Sequence, residues 1–397
     1  MNLRTIPIFL AFFLMGLADA MGPNSDKVKE AYKITDLQST LLTFSVFIAF
    51  AVFSVPGGLL AARIGKKNLL LLGLGLNAAA LVIPSCTQPD FRILLTCIFT
   101  LGIGTTFLQV AGNPIMRDVS AEGDYSRNLA FAQGIKGIGS TAATWLLGAI
   151  ATIPFFEKMG WRAGFPFFCG LMALAFVAVA MLRVKETKAD VPPSIGSSLS
   201  LLTEPVFFLA VLGIFLYVGA EASMGRFLKP ALMSVGLEAD PANFWGPTIF
   251  FLMLTVGRLL GGTLLLVMSP RTCFRLSALL GLLGVIAIMV GSKPLMLGGV
   301  IAAGLGFGNI WPMLFSITVE ERPDRANELS GLMCMAISGG AIVPLVMAQL
   351  RDSLRVPSGE ELVLTPGADA FSFIVPAICF GYLLVLSLKG GGKAATA

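Results

Sequence analysis

Residues 49–85 read AFAVFSVPGGLLAARIGKKNLLLLGLGLNAAALVIPS. An apolar run ends at a turn carrying Arg63, Lys66 and Lys67, and a second apolar run follows with no charge at all. Helices this apolar on every side belong in lipid or in a large core. About 20 such residues cross a hydrocarbon layer of about 30 Å, and without water to satisfy the backbone the crossing segments must be helical. The stretch is therefore a hairpin of two membrane helices joined by a basic turn, and it sets the pattern for the chain on either side.

The composition agrees. Of 397 residues, 56% are hydrophobic and 13% charged, and the mean hydropathy is +0.84. The 44 Gly suit close packing of membrane helices. Such a chain is neither disordered nor a nucleic-acid module, and its net charge of +5 is too scattered to bind a polyanion. With no His, imidazole metal sites and proton relays are excluded. Cys86, Cys97, Cys169, Cys273, Cys334 and Cys379 lie apart in apolar runs without metal-ligand spacing and read as reduced, small hydrophobes. Arg4, the run at 6–17 and Ala18-Asp19-Ala20 mimic a cleaved secretory signal. Removing it would leave the helix count unbalanced, so it is read as the first span.

Apolar runs between charged and Gly/Pro breaks give twelve spans: 6–24, 37–61, 68–85, 91–116, 127–153, 164–183, 204–235, 243–267, 272–291, 294–318, 327–350 and 369–388. The polar stretch 185–203, with Pro192-Pro193-Ser194, falls at the midpoint and divides the chain into 1–184, a cytoplasmic linker at 185–203, and 204–397. The halves echo each other. One offset relates Gly58 to Gly257 and Asn128 to Asn327, and Gly102-x-Gly104…Asn113-Pro114 reappears as Gly304-x-Gly306…Asn309…Pro312. The expected fold is an all-α membrane protein of 12 transmembrane helices in two pseudo-symmetric six-helix bundles, an architecture typical of transporters. Basic residues concentrate in the loops that a cytoplasmic amino terminus would place inside, so both termini are expected in the cytoplasm. On this reading Arg63, Lys66, Lys67, Arg183, Lys185 and Lys188 are topology signals.

The turn at 58–67, GLLAARIGKK, resembles the signature loop between helices 2 and 3 of the major facilitator superfamily, with Ala62 where that loop usually has Asp. Further motifs are similar to the fucose–glucose/galactose:cation symporter branch. They are FFLMG at 12–16, QVAGNP at 109–114, Ala132-Gln133, LYVGAE at 216–221, Gly257-Arg258, Ser269-Pro270-Arg271, Trp311-Pro312 and GGAIVP at 339–344. The resemblance implies the major facilitator fold, a monomeric sugar carrier working by alternating access, and a central cavity lined by spans 1, 4, 7 and 10. It also implies that Arg258 is a structural link toward the cytoplasmic side. Three positions depart from the branch: Gln109 replaces a carboxylate, Lys136 replaces an amide, and Pro23 stands where a span 1 carboxylate is usual, with Asp19 and Asp26 nearby.

Charges at bilayer depth are costly, so those that persist usually face water or a partner. Asp19, Lys136 and Glu221 are the three that stand out. Gln133, Lys136, Ser140 and Thr144 share one face of span 5, flanked by Gly134, Gly137 and Gly139. Lys136 either pairs with Asp19 or Glu221 simply to neutralise charge, or forms a pair that loosens as cation or substrate binds. Thr105, Gln109 and Asn113 form a polar stripe in span 4, answered in span 10 by Asn309, Met313, Ser316 and Glu320 with Trp311 beside them. Amides and an indole match the hydroxyls and C–H face of a sugar, although interhelical bonding is the plainer use of intramembrane amides. Gln109, Gln133, Lys136, Tyr217, Glu221, Asn309 and Trp311 are the candidate substrate contacts, and Asp19, Lys136 and Glu221 the candidate coupling residues. Arg63, Asn113, Arg258 and Pro344 are read as gating or structural, Asn113 by satisfying backbone freed by Pro114. Glu320, Glu321, Arg322, Asp324 and Arg325 read as a solvated run.

The expected function is secondary active transport of a monosaccharide across the cytoplasmic membrane, coupled to H⁺ or Na⁺ and needing no cofactor. A carrier of acidic sugars or other organic anions gripped by Lys136, or a polyspecific efflux carrier, is the alternative. No nucleophile elbow, metal-ligand set or Walker loop points to an enzyme.

Overall fold

The computed structural model describes residues 5–19, 25–186, 193–358, 361–364 and 367–389. Each expected span falls on a helix: α1 (Ile6–Asp19), α2 (Asp36–Ile64), α3 (Lys66–Cys86), α4 (Phe91–Val119), α5 (Tyr125–Ala151), α6 (Gly164–Met181), α7 (Pro205–Ser234), α8 (Ala239–Leu264), α9 (Pro270–Met289), α10 (Lys293–Glu321), α11 (Pro323–Ser353) and α12 (Ala368–Lys389). Ten of the described helices are long and apolar enough to cross a membrane. The other two are α1, with its shorter apolar stretch Ile6–Leu17, and α5, which carries Arg127, Lys136 and the Gln/Ser/Thr face. The chain is an all-α, multi-pass membrane protein.

Local chemistry fixes the helix ends. Thr35 and Gln38 form a reciprocal capping box at the start of α2, Asp90 accepts from the Ile93 N–H to open α4, and Ser269 with Pro270 opens α9. Gly65 separates α2 from α3 at φ +93°, a conformation L side chains rarely adopt. The Glu186 carboxylate sits against it and accepts from the N–H groups of Lys66 (2.6 Å) and Lys67 (3.0 Å). An anion at a helix N-terminus is favourable, and here it ties the start of the linker to the basic turn. Lys66, expected as a topology signal, is also ion-paired. Its ammonium is buried and bound to Asp118 at 2.5 Å. Arg63 is exposed at the end of α2.

The helices gather into two compact units, Met1–Glu204 with Thr318–Met335, and Pro205–Ile317 with Ala336–Ala397. In the first, α1 packs on α5, α2 on α4, and α3 on both α4 and α6. In the second, α7 packs on α11, α8 on α10, and α9 on both α10 and α12. The pairing scheme is the same six helices later, which is the structural counterpart of the sequence echo. Glycines make these contacts backbone-close. Gly16 of α1 meets the Lys136 carbonyl, Gly73 meets Gly104, Gly281 meets Gly306, and Gly219 meets Gly339. In lipid, where no hydrophobic drive separates helix from solvent, such van der Waals contact is what holds helices together.

The segment 318–335 closes the first unit. At Gly58 a Cβ would lie 2.5 Å from the Asn327 carbonyl, and at Gly331 one would lie 2.9 Å from that of Ser54, so α2 and the start of α11 cross backbone to backbone. The expected solvated run is only partly so. Arg322 and Asp324 are exposed, but Arg325 binds buried Glu328 (2.6 Å) and donates to the Ser197 carbonyl (2.7 Å). Glu328 also accepts from the Ser197 (2.8 Å) and Ser198 (3.2 Å) hydroxyls of a short linker helix, Ile195–Ser200. A two-stranded antiparallel hairpin, β1 (Arg355–Ser358) and β2 (Glu361–Leu364), precedes α12 and was not anticipated.

Candidate functional site

In the first unit the polar face lies on α4 and α5. Gln133 donates to the Asn113 side-chain oxygen at 3.1 Å, and both are buried. Gln109, one turn before Asn113, is 3% exposed, and its Oε1 makes no hydrogen bond. Thr105 serves packing instead, accepting from Asn77 of α3 at 3.3 Å. Lys136 is half-buried one turn from Gln133, with Cys334 of α11 within electrostatic range. Asp19 ends α1, but its side chain and that of Thr144 lie outside the described residues, as do Pro23 and Lys188.

In the second unit, Tyr217 and Glu221 of α7 meet Arg258 of α8. Arg258 Nη2 lies 3.7 Å from Glu221 Oε2 and 3.4 Å from the Tyr217 hydroxyl, and Arg258 Nε donates to the Gly308 carbonyl at 3.3 Å. Tyr217 and Arg258 are buried, whereas the Glu221 side chain keeps 24% of its surface. Thus Glu221 has its ion pair within its own unit, and Arg258 is bound into the polar cluster rather than acting only as a cytoplasmic link. Helix α10 breaks at Asn309, whose amide donates to the Gly257 carbonyl at 2.8 Å and fills the slot left by Gly261. Asn309 Oδ1 and the buried indole Nε1 of Trp311 have no hydrogen-bond partner, and Trp311 stacks on Phe315. Ser316 turns back to the Met313 carbonyl and Glu320 pairs with Arg117 (2.9 Å), so neither joins Asn309. Pro344 is buried within α11, four residues after Gly340.

Two prolines explain part of this arrangement. A proline inside a helix offers no N–H to the carbonyl four residues earlier. Pro114 thereby frees the Val110 carbonyl and Pro312 frees that of Gly308. Asn113, the residue expected to compensate Pro114, does not. The Val110 carbonyl accepts from the Ser330 hydroxyl at 2.8 Å, while the Asn113 carbonyl takes the Tyr125 hydroxyl at 3.1 Å. In α10 the corresponding donor is Arg258. Ser330 and Gly308 were not singled out in the sequence, though the Pro114 and Pro312 positions marked which carbonyls needed a donor.

The profile of the Major Facilitator Superfamily matches residues 8–344. A glucose/galactose transporter of Brucella abortus biovar 1 (strain 9-941) is 28% identical, over 97% of this chain and 92% of its own. An L-fucose-proton symporter of Escherichia coli (strain K12) is 24% identical, over 95% of this chain and 90% of its own. The crystal structure of a variant of the E. coli fucose:proton symporter superposes with a TM-score of 0.83 at 19% identity, covering 99% of this chain and 100% of that one. A proton:xylose symporter bound to 6-bromo-6-deoxy-D-glucose gives 0.73 at 13% identity, covering 98% and 95%.

Proposed function

Because the chain belongs to the Major Facilitator Superfamily, a family of transporters and not of enzymes, we propose that it carries a monosaccharide by alternating access as a cation-coupled symporter. The substrate class is a neutral aldohexose of the glucose/galactose type, the coupling ion H⁺ or Na⁺. The carrier is a monomer in the cytoplasmic membrane with both termini inside, and no cofactor takes part. The observation that carries this reading is the buried indole N–H of Trp311 on α10, one of six buried polar side-chain atoms without a hydrogen-bond partner among the described residues. A buried polar atom left unpaired costs about 1–3 kcal/mol, which a ligand's hydrogen bond would offset. An indole N–H suits a sugar hydroxyl, which takes hydrogen bonds, and the indole face suits the C–H side of a pyranose. The names of the relatives at 28% and 24% identity support the same class.

The test is uptake of labelled glucose, galactose and L-fucose into proteoliposomes holding the purified protein, under imposed H⁺ or Na⁺ gradients. Accumulation of a neutral hexose against its gradient is expected. Transport confined to hexuronates, or export of lipophilic dyes without sugar uptake, would overturn the reading.

A further inference from the structure

We propose that the joint between α2, α3 and the end of α6 is a binding site for an anionic phospholipid. Arg63, Lys67, Arg183 and Lys185 hold its phosphate, and its acyl chains lie on the exposed face of α6. The site belongs to the first unit alone and does not depend on what the carrier transports. Two sets of contacts bring the joint together. The Lys67 ammonium donates to the Ala180 carbonyl at 2.7 Å, and the Glu186 carboxylate accepts from the N–H groups of Lys66 and Lys67 at 2.6 and 3.0 Å. The chain from Ala180 to Glu186 is thereby fastened at both ends to the first turn of α3.

Between those points burial alternates. Leu182, with extended backbone (φ −68°, ψ 129°), is buried, Arg183 is exposed, Val184 is half-buried, Lys185 is exposed and Glu186 is half-buried. Successive side chains of an extended segment point to opposite sides. Leu182, Val184 and Glu186 thus turn toward the helices, and Arg183 and Lys185 turn away together. Arg63, two residues before Gly65, is exposed as well. Among the described residues, no hydrogen bond or ion pair holds the side chain of Arg63, Arg183 or Lys185. Lys67 spends one of its three N–H groups on Ala180 and keeps two. Lys66 and Asp118 neutralise each other, and Glu186 has both oxygens on the α3 N–H groups. Four cations therefore stand against one committed carboxylate.

Such a rim attracts any phosphate, but its place selects the bearer. Leu174, Val177 and Met181 fall at i, i+3 and i+7 on α6, and all three are exposed, Met181 at 77%. A membrane helix offers such a face to acyl chains. Arg183 and Lys185 follow within four residues of its end, at the depth where headgroups begin. A molecule that brings hydrocarbon and phosphate to that place together is a phospholipid, and each Lys or Arg near the surface adds to its hold on an anionic headgroup. A topology signal needs only a count of charges on one side. A site needs them at particular positions, and that difference is measurable.

The test uses the full-length protein, freed of lipid in detergent and titrated with dioleoylphosphatidylglycerol or dioleoylphosphatidylcholine, with bound lipid counted by native mass spectrometry. The phosphatidylglycerol should bind about tenfold or more tightly, and Arg183→Gln with Lys185→Gln should abolish that preference. Arg92→Gln with Lys158→Gln removes the same charge from exposed positions at the other end of the unit and should leave the preference intact. Excess glycerol 3-phosphate should not displace the lipid. Hydrogen exchange of the wild type in nanodiscs needs no variant to fold. Residues 63–68 and 183–186 should exchange about threefold or more slowly in phosphatidylglycerol than in phosphatidylcholine, with the turn at 90–92 unchanged. Equal affinity for the two lipids, equal loss in both double variants, or unaltered exchange at 63–68 would overturn the site. Displacement by glycerol 3-phosphate would overturn the lipid assignment in favour of a soluble phosphate.

Discussion

The Ser330 hydroxyl donates to the Val110 carbonyl at 2.8 Å, and Val110 is the residue that Pro114 deprives of its helical donor. One side chain from the start of α11 thus completes the backbone of α4 inside the first unit. Ser330→Ala should leave a buried carbonyl unpaired, at a cost of about 1–3 kcal/mol. Restoring the N–H with Pro114→Ala should remove most of that cost, since Val110 regains its own helix partner. Thermal unfolding of the four proteins in detergent reads this as a double-mutant cycle. An equal loss from Ser330→Ala in both backgrounds would show that the hydroxyl acts some other way.

The fold was legible in the sequence because lipid leaves the chain few choices. Apolar length and charge placement mark each crossing, and the echo of Gly58 in Gly257 anticipated helix pairings that repeat six helices later. The polar residues were legible as candidates but not as partners. Glu221 and Arg258 sit on different helices, and which cation meets which carboxylate depends on rotation and depth that no spacing encodes. The partner of Lys66 was unreadable for the same reason: Asp118, at the far end of α4, binds its ammonium. Ser330 was unreadable because a lone Ser among Leu, Gly and Met has no periodic signature.

The Lys66–Asp118 pair makes a prediction of opposite kind from an exposed ion pair. With side chains only 2% and 1% exposed, neither charge can fall back on water. Asp118→Asn should destabilise the protein by about 3–5 kcal/mol by removing the carboxylate from a buried ammonium, whereas Lys66→Met with Asp118→Leu should recover most of the loss. The ratio of folded to aggregated protein on heating, followed by size-exclusion chromatography, separates the two. A double variant as damaged as the single one would mean that the pair supplies specificity rather than removable charge.

Gly58 crosses α11 so closely that even a methyl group would press on the Asn327 carbonyl at 2.5 Å, and backbone cannot step aside as a side chain can. Gly58→Ala should therefore force α2 and the start of α11 apart, with overpacking of about 1–3 kcal/mol. Cys334, wholly buried one turn beyond Gly331, reports the opening. Its labelling by a maleimide, resolved by peptide mass spectrometry, should speed up by about fivefold or more. Exposed Cys86 serves as the internal control, with an unchanged rate. Cys334 protected equally in both proteins would show that the crossing tolerates a side chain and is not tight.

Trp311 separates recognition from packing. Its ring stacks on Phe315 at 5.8 Å between centroids, while its Nε1 is buried with nothing to donate to. Trp311→Phe keeps an aromatic on Phe315 and removes the donor. A site that meets a hydroxyl with that N–H loses a net hydrogen bond of about 0.5–1.5 kcal/mol, and the sugar KM should rise by about three- to tenfold with little change in thermal stability. A deoxy sugar lacking the hydroxyl that Nε1 meets should be a poorer substrate of the wild type and discriminate less in the variant. If Trp311→Phe raises KM equally for every hexose and each deoxy analogue, the indole is shaping the site by volume alone. If KM does not move while stability falls, the unpaired N–H belongs to packing.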